Sequence, residues 1–440
     1  MTANSDSGMQ TYGPFTRGVN NRLQDHEISN DRLRQAVNVR LRDTGLVERR
    51  SGYALHRAAA VKTHSGYTVP DFGLVFVDGH SMILRNPDTG SESVLRTDMA
   101  ANQPVAYVTP PGGIVYYSDG AVTGRIAAGE DQPWGIAPPS GVPALSAITG
   151  ALPPGRYQVA LTYIDLGGEE SGSGLTAELT VTANHGIRIA GIPAPVTVGV
   201  SKVALYVSTA NGEMLYHAAD LALGVTQFDY ITASATGRAL KTRYITPPPA
   251  GRVLAYSGGR IYIADGPIVW YTEPIQYGRC RKASSFLQFP ADVSIMSGVA
   301  GGLYVASDKT YWLAGTDPQT FTSKIVLEFG AAPHTLTALP EPDTWMWYSD
   351  RGMVQAGPGG AIKELQHAEL FLDAANTGAS LYMEEEGIKQ IVSVTQPKNI
   401  AAVAASSSYV DMEVRRSGTR RLPLQSAVAA SSAVDMEIQQ

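Results

Sequence analysis

Cysteine is almost missing from this sequence. The single one, Cys280, excludes an internal disulfide framework and a multi-cysteine metal site, so stability must come from burial and partner contacts. Long apolar runs are missing too. No stretch is long and apolar enough for a membrane-spanning helix. The opening "MTANSDSGMQTYGPF" has neither a basic start nor an apolar core, so it does not read as a signal peptide, and synthesis in a cytosol is expected. Segments of helical period are scarce. The one helical candidate is "DRLRQAVNVRLRD", Asp31 to Asp43, and Val37, Val39 and Leu41 alternate there as they would in an extended arm.

An excess of positive charge is also lacking. The formal charge is −6, from 34 basic and 40 acidic residues. A dedicated duplex-DNA binder carries a basic stripe that displaces counterions, and this chain shows none. Arginine is locally dense: residues 17 to 50 hold eight Arg and no Lys beside five acids, and "RRSGTRR" spans Arg415 to Arg421. Such clusters suit interface ion pairs more often than phosphate sites.

Motifs that announce chemistry are missing as well. The eight His are scattered, without an HExxH pair, a His–Cys cluster or an EF-hand loop. No GxSxG elbow occurs. "GPGGA", Gly357 to Ala361, lacks the Lys-Ser/Thr of a phosphate loop and reads as a turn. The run Glu384 to Glu386 reads as a solvated hairpin tip. No residue stands out as catalytic, cofactor-binding or metal-ligating, and a non-enzymatic protein without a cofactor is expected.

What is abundant is turn chemistry between short apolar runs. With 45 Gly, 27 Pro and 44% hydrophobic residues, the 440-residue chain suits many short strands in two or three domains. One hairpin-like phrase recurs. "LVFVDGHSMIL" centres on Asp78, "IVYYSDGAVTG" on Asp119, "IYIADGPIVWY" on Asp265, "LYVASDKTYWL" on Asp308 and "MWYSDRGMVQA" on Asp350, with a weaker copy around Glu385. The steps are 41, 146, 43, 42 and 35 residues. All but one lie near the roughly 40–45 residues of a four-stranded propeller blade. About six blades are expected, and the Asp residues read as structural turn residues. In "RIYIAD" neither face is polar, which predicts a strand covered on both sides.

The long step predicts an insertion. A Pro/Gly/Ser linker, Pro138 to Pro154, leads into "RYQVALTYID" and five further strand-like runs, and the triple proline 247 to 249 marks the exit. So many short strands in 108 residues, 140 to 247, without cysteines, fit an immunoglobulin- or fibronectin-like sandwich. Near the end, "AVAASSSYVDMEV", Ala402 to Val414, is nearly repeated as "AVAASSAVDMEI", Ala427 to Ile438. Two copies of one strand-like phrase suggest a hairpin or two equivalent docking strands, placed at a subunit interface or against another ring. The expected organisation is an N-terminal arm (1–53), a first propeller segment (54–139), the inserted sandwich (140–247), a second propeller segment (248–400) and a C-terminal repeat tail (401–440).

The opening phrases resemble a known family. "GPFTRGVNNRLQDHEI", followed by "LRQAVNVRLRDTGLVERRSGY", is similar to the start of tail proteins from short-tailed bacteriophages. The order of the remaining segments agrees: propeller hairpins, an insertion starting "PPGRYQVALTYID", the "PPP" exit, "GGLYVASDKTYWLAGTDP", and the ending "AAVAASSSYVDMEVRR". The resemblance covers nearly the whole chain and is to the tail nozzle, also called tail tube or hub.

That resemblance implies a virion structural protein assembled in the host bacterial cytoplasm. It implies a homo-hexameric ring below the head-to-tail adaptor that continues the DNA channel, retains the genome and lets it pass at infection. Implied partners are the adaptor ring, tail fibre or spike proteins, needle or plug proteins, and genomic DNA sliding through without sequence-specific binding. Mild acidity suits such a lumen, because a wall that repels phosphate forms few ionic contacts to break. The alternative is a propeller that binds a host glycan, which would gather exposed aromatics on one face. Trp270, Trp312, Trp345 and Trp347 lie in strand runs and read as core instead.

Overall fold

The computed structural model describes residues 12–50, 52, 55, 57–234, 237–385 and 387–398. The protein is all-β. Its described residues contain no α-helix, only single 3₁₀ turns at Asp25–Glu27, Pro318–Thr320 and Pro358–Gly360.

The arm carries a small hairpin, β1 (Val39–Leu41) with β2 (Val47–Arg49). The helix considered for residues 31–43 does not form. The alternation of Val37, Val39 and Leu41 wins, and Asn38, at φ 54°, leaves the helical region just before β1.

Four-stranded antiparallel sheets follow, each with its strands in chain order. The first is β3 (Thr63–Val69), β4 (Gly73–Asp78), β5 (Ser81–Arg85) and β6 (Glu92–Arg96). The second is β7 (Ala106–Val108), β8 (Val115–Ser118), β9 (Thr123–Ala127) and β10 (Glu130–Gln132). The insertion follows, with β11 (Ala144–Thr149), β12 (Gly155–Asp165), β13 (Ala177–Val181), β14 (His185–Ala190), β15 (Val200–Ser208), β16 (Leu215–Ala222) and β17 (Gln227–Tyr230). The third sheet of the series is β18 (Val253–Ser257), β19 (Arg260–Asp265), β20 (Ile268–Glu273) and β21 (Gln276–Cys280), with β22 (Phe286–Gln288) also paired to β20. Next come β23 (Ile295–Val299), β24 (Gly302–Ala306), β25 (Thr310–Ala314) and β26 (Thr322–Leu327), then β27 (Thr337–Ala338), β28 (Trp345–Ser349), β29 (Gly352–Ala356) and β30 (Ile362–Glu364). The last element is a long two-stranded hairpin, β31 (Ala375–Glu385) and β32 (Ile388–Pro397).

The recurring phrase has one structural meaning in the four-stranded series. Asp78, Asp119, Asp265, Asp308 and Asp350 all stand at the turn between the second and third strands of their sheets. The copy around Glu385 turns the two-stranded hairpin instead. In β19, Ile261, Tyr262 and Ile263 are fully buried and Ala264 nearly so, which matches a strand covered on both faces. The same holds for β8, β24 and most of β28, whereas outer strands such as β6 and β26 are largely exposed. Each fully buried Ile or Val contributes on the order of 1.5–3 kcal/mol, so the inner strands carry the cores. At Asp265 the acid closes the strand rather than occupying the centre of the turn. Asp265 pairs with Ile268, so the central residues are Gly266 and Pro267. Gly266 has φ 58°, a conformation open to glycine at the first central position of a primed turn.

The insertion is a sandwich of two antiparallel sheets, ordered β11-β14-β17 and β13-β12-β15-β16. Its pairings β11–β14, β12–β15 and β14–β17 are non-consecutive, so the chain alternates between layers as in Greek-key sandwiches. Val159, Leu161, Tyr163, Val203 and Leu205 from one sheet close over Ile187, Ile189 and Tyr230 from the other. Strand β11 lies inside the stretch read as linker, Pro138 to Pro154. Its proline and glycine neighbours punctuate the strand rather than prevent it.

Two compact units organise the chain. One is Gly66–Phe76 with His80–Val293, and the other is Ser294 onward with the described residues up to Ser65 and Val77–Gly79. Within the first unit the sheets on either side of the insertion are neighbours. Val108, Tyr116 and Trp134 pack with Leu254, Ile261 and Ile263, and the amide of Gly251 donates to Ser118 Oγ at 3.0 Å. In the second unit, Tyr304, Trp312, Trp347 and Val354 form the centre of a further core.

Candidate functional site

The turn acids bind their own chain. Asp78 accepts from Arg57 Nη1 at 2.9 Å and from the amides of Ala60, Val61 and Lys62 at 2.7, 2.9 and 2.9 Å. Burial alone would raise its pKa, but those backbone donors and Arg57 outweigh it and hold the carboxyl at about 2. Asp119 accepts from the amides of Ala100, Ala121 and Val122 at 2.7–2.8 Å. Asp265 faces Arg252, Asp308 accepts from Tyr311 and Asp350 pairs with Lys398. Asp78, Asp119, Asp265 and Asp350 each reach a segment beside their sheet, whereas Asp308 stays within its own hairpin.

The phrase that carries the resemblance folds into an anchor. In "GVNNR", the buried Asn20 accepts from the amides of Arg22 and Leu23 and so turns the chain. Asn21 then pairs through its side chain as a strand residue pairs through its backbone: Oδ1 accepts from the Phe371 amide at 2.6 Å and Nδ2 donates to the Phe371 carbonyl at 2.9 Å. Arg22 Nε donates to the Leu370 carbonyl at 3.1 Å, and Arg32 pairs with Glu369 at 2.8 Å. Arg17, Arg34 and Arg42 pair with Asp31, Asp25 and Glu48. The arginines of the arm therefore act as ion-pair and carbonyl-binding groups. The second cluster, Arg415 to Arg421, and the repeated tail phrases lie outside the described residues.

Of the other sequence candidates, Trp312, Trp345 and Trp347 gather in one core rather than on an exposed face. Trp312 and Trp347 are buried, Trp345 donates Nε1–H to the Gly298 carbonyl, and Trp270 is half-buried in β20. "GPGGA" is the turn between β29 and β30, and Glu384 accepts from Tyr382. Among the described residues no group of three or more His, Cys, Asp or Glu is placed to hold a metal ion.

One cleft does bring polar side chains together, and no motif marked it. Within the first unit, the sandwich loop Gly167–Glu169 meets the β7–β8 connection, β9 and β21 around a cavity of about 500 Å³. Arg125 comes from β9, Glu169 from the loop after β12, and Gln276, Tyr277 and Arg279 from β21. Arg279 Nε stands 4.0 Å from Glu169 Oε1, and Arg279 Nη1 donates to Gln276 Oε1 at 2.6 Å. Burial raises the Glu169 pKa, while Arg279 and Arg125 pull against that rise. The wall behind is aromatic: Tyr116 meets Tyr277 edge-on at 5.7 Å and Trp134 at 5.3 Å, and Trp134 Nε1 donates to the Tyr277 carbonyl. A Cβ at Gly278 would strike Glu169 Oε1, so any larger residue there would move the Glu169 carboxylate aside.

No family model matches the chain, and no curated protein matches it. Among solved structures, BBS1N in complex with ARL6DN is similar at 10% identity over 77% of this chain and 90% of that chain, with a TM-score of 0.28. A putative 6-phosphogluconolactonase from Bacteroides fragilis is similar at 10% identity over 76% of this chain and 95% of that one, with a TM-score of 0.25. Scores of this size establish no shared fold.

Proposed function

We propose that this chain is a virion structural protein, a tail nozzle that assembles as a ring, continues the DNA channel below the head-to-tail adaptor and holds and then releases the genome. The observation that carries the reading is the near full-length resemblance in order, from the GVNNR arm to the inserted sandwich and its triple-proline exit. Within the arm phrase, Asn21 and Arg22 bind the backbone of Phe371 and Leu370, a task that fits an arm held to the body of a ring subunit. No enzymatic step belongs to this function. Its work is mechanical, and its partners are further copies of the chain, the adaptor, the fibre or spike, the plug and the passing DNA. Six copies would carry a formal −36, which disfavours DNA sticking to the wall.

Native mass spectrometry and electron microscopy of the full chain, with and without the adaptor ring, test the reading. A closed ring, hexameric and docking on the adaptor, is expected. A monomer indifferent to the adaptor would overturn it.

A further inference from the structure

We propose that the Arg125–Glu169–Arg279 cleft binds a uronic-acid unit of a polysaccharide. This goes beyond the nozzle reading and does not depend on it. The Nε atoms of Arg125 and Arg279 are buried and make no hydrogen bond within the chain. Both guanidiniums line the cleft, so a ligand carboxylate there can meet the part of each fork that faces the cavity, whose geometry it matches. Among the lining side chains two guanidiniums stand against one carboxylate, Glu169, with Asp165 behind the loop, so the lining itself favours a ligand carboxylate.

The remaining lining decides which carboxylate. About 500 Å³ is far more than a lone carboxyl group fills and suits a sugar ring with a portion of its neighbour. Glu169 and the Gln276 amide offer acceptors for vicinal hydroxyls. Tyr277, Ile114 and Pro110 offer an apolar wall for the C–H face of the ring. An acidic peptide also supplies a carboxylate, but it brings neither vicinal hydroxyls for Glu169 and Gln276 nor a sugar-ring face for the apolar wall.

The test is calorimetric titration of the full chain with trigalacturonate, maltotriose and triglutamate. Trigalacturonate should bind, with maltotriose and triglutamate at least about tenfold weaker. Arg125→Gln and Arg279→Gln should each weaken trigalacturonate by about tenfold or more, since each removes a bidentate charged contact. Arg279→Lys keeps the charge and loses the fork, so it should fall between, and an unchanged thermal transition in the variants separates lost binding from lost folding. The proposal is overturned if maltotriose binds as well, if triglutamate binds more tightly, if the folded wild type binds none of the three at millimolar concentration, or if the arginine variants bind as the wild type does. Ring formation is measured separately, so failure here leaves the nozzle reading standing, and the reverse holds as well.

Discussion

Asp78 is the most exposing test of the idea that a turn acid can hold its sheet to a flanking segment. Its side chain is almost fully buried, and it accepts three backbone amides and one guanidinium N–H. Asp78→Ala leaves those donors without their acceptor. Hydrogen bonds to a charged group are worth about 1.5–3 kcal/mol, and some of the loss is recovered by water reaching Ala60 and Val61, so a net cost of roughly 2–4 kcal/mol is expected. The depressed pKa expresses the same contacts as a preference for the ionised form. A fall from 3.8 to about 2, at about 1.4 kcal/mol per unit, corresponds to about 2 kcal/mol of folded-state preference for the ionised form. The sign follows from the depressed value: the contribution is complete above pH 3.8 and is lost as pH falls through about 2. Asp78→Asn keeps the shape and removes the titration. Urea unfolding of wild type and Asp78→Asn should show a gap of about 2 kcal/mol near pH 6 that closes toward pH 2. Hydrogen exchange at the amides of residues 60–62 should quicken in Asp78→Ala at neutral pH. A pH-independent gap, or unchanged exchange at those amides, refutes the reasoning.

Two further outcomes rest on side chains with equally defined surroundings. Cys280 is fully buried, and burial pushes its thiol pKa to about 12. A disulfide reagent at pH 8 should therefore leave the folded protein unmodified and react at the rate of unfolding, and stoichiometric labelling within seconds would contradict the buried placement. Asn21→Ala removes both side-chain hydrogen bonds to the Phe371 backbone, about 1 kcal/mol net for each bond, and should make the arm near residues 17–32 cleave faster in limited proteolysis while the main thermal transition stays put. An unchanged cleavage rate would reduce the anchor to a passive contact.

What the sequence could reveal depended on how local each signal was. The inner strands were legible because burial on both faces leaves a continuous apolar run, as from Ile261 to Ala264, which needs no knowledge of the partner sheet. The turn acids were legible as turn residues, but the amides that Asp78 holds lie 16 to 18 residues earlier, a separation that no turn rule spans. Residues 31–43 misled in the opposite way. Leu33, Val37 and Leu41 sit at helical spacing, yet an extended path brings Leu33 to Gly18 and frees Arg32 to reach Glu369. Long-range partners decided that contest.

The cleft shows the limit most clearly, and the reason lies in the insertion. Arg125, Glu169 and Arg279 come from three segments that no short motif could join. They meet because the sheets containing Tyr116 and Ile261 are packed neighbours, although the whole sandwich separates them in sequence. The chain must leave β10 and return to β18 at nearly the same place, so the sandwich is tethered at both ends beside the sheets it interrupts. Its loop Gly167–Glu169 thereby falls against β21, with Glu169 set between two arginines it would never meet in a linear reading. An insertion into a repeat of sheets thus does more than add a domain. It forms a cleft whose polar groups belong partly to the repeat and partly to the guest, and excising residues 140–247 would remove Glu169 while leaving both guanidiniums in place.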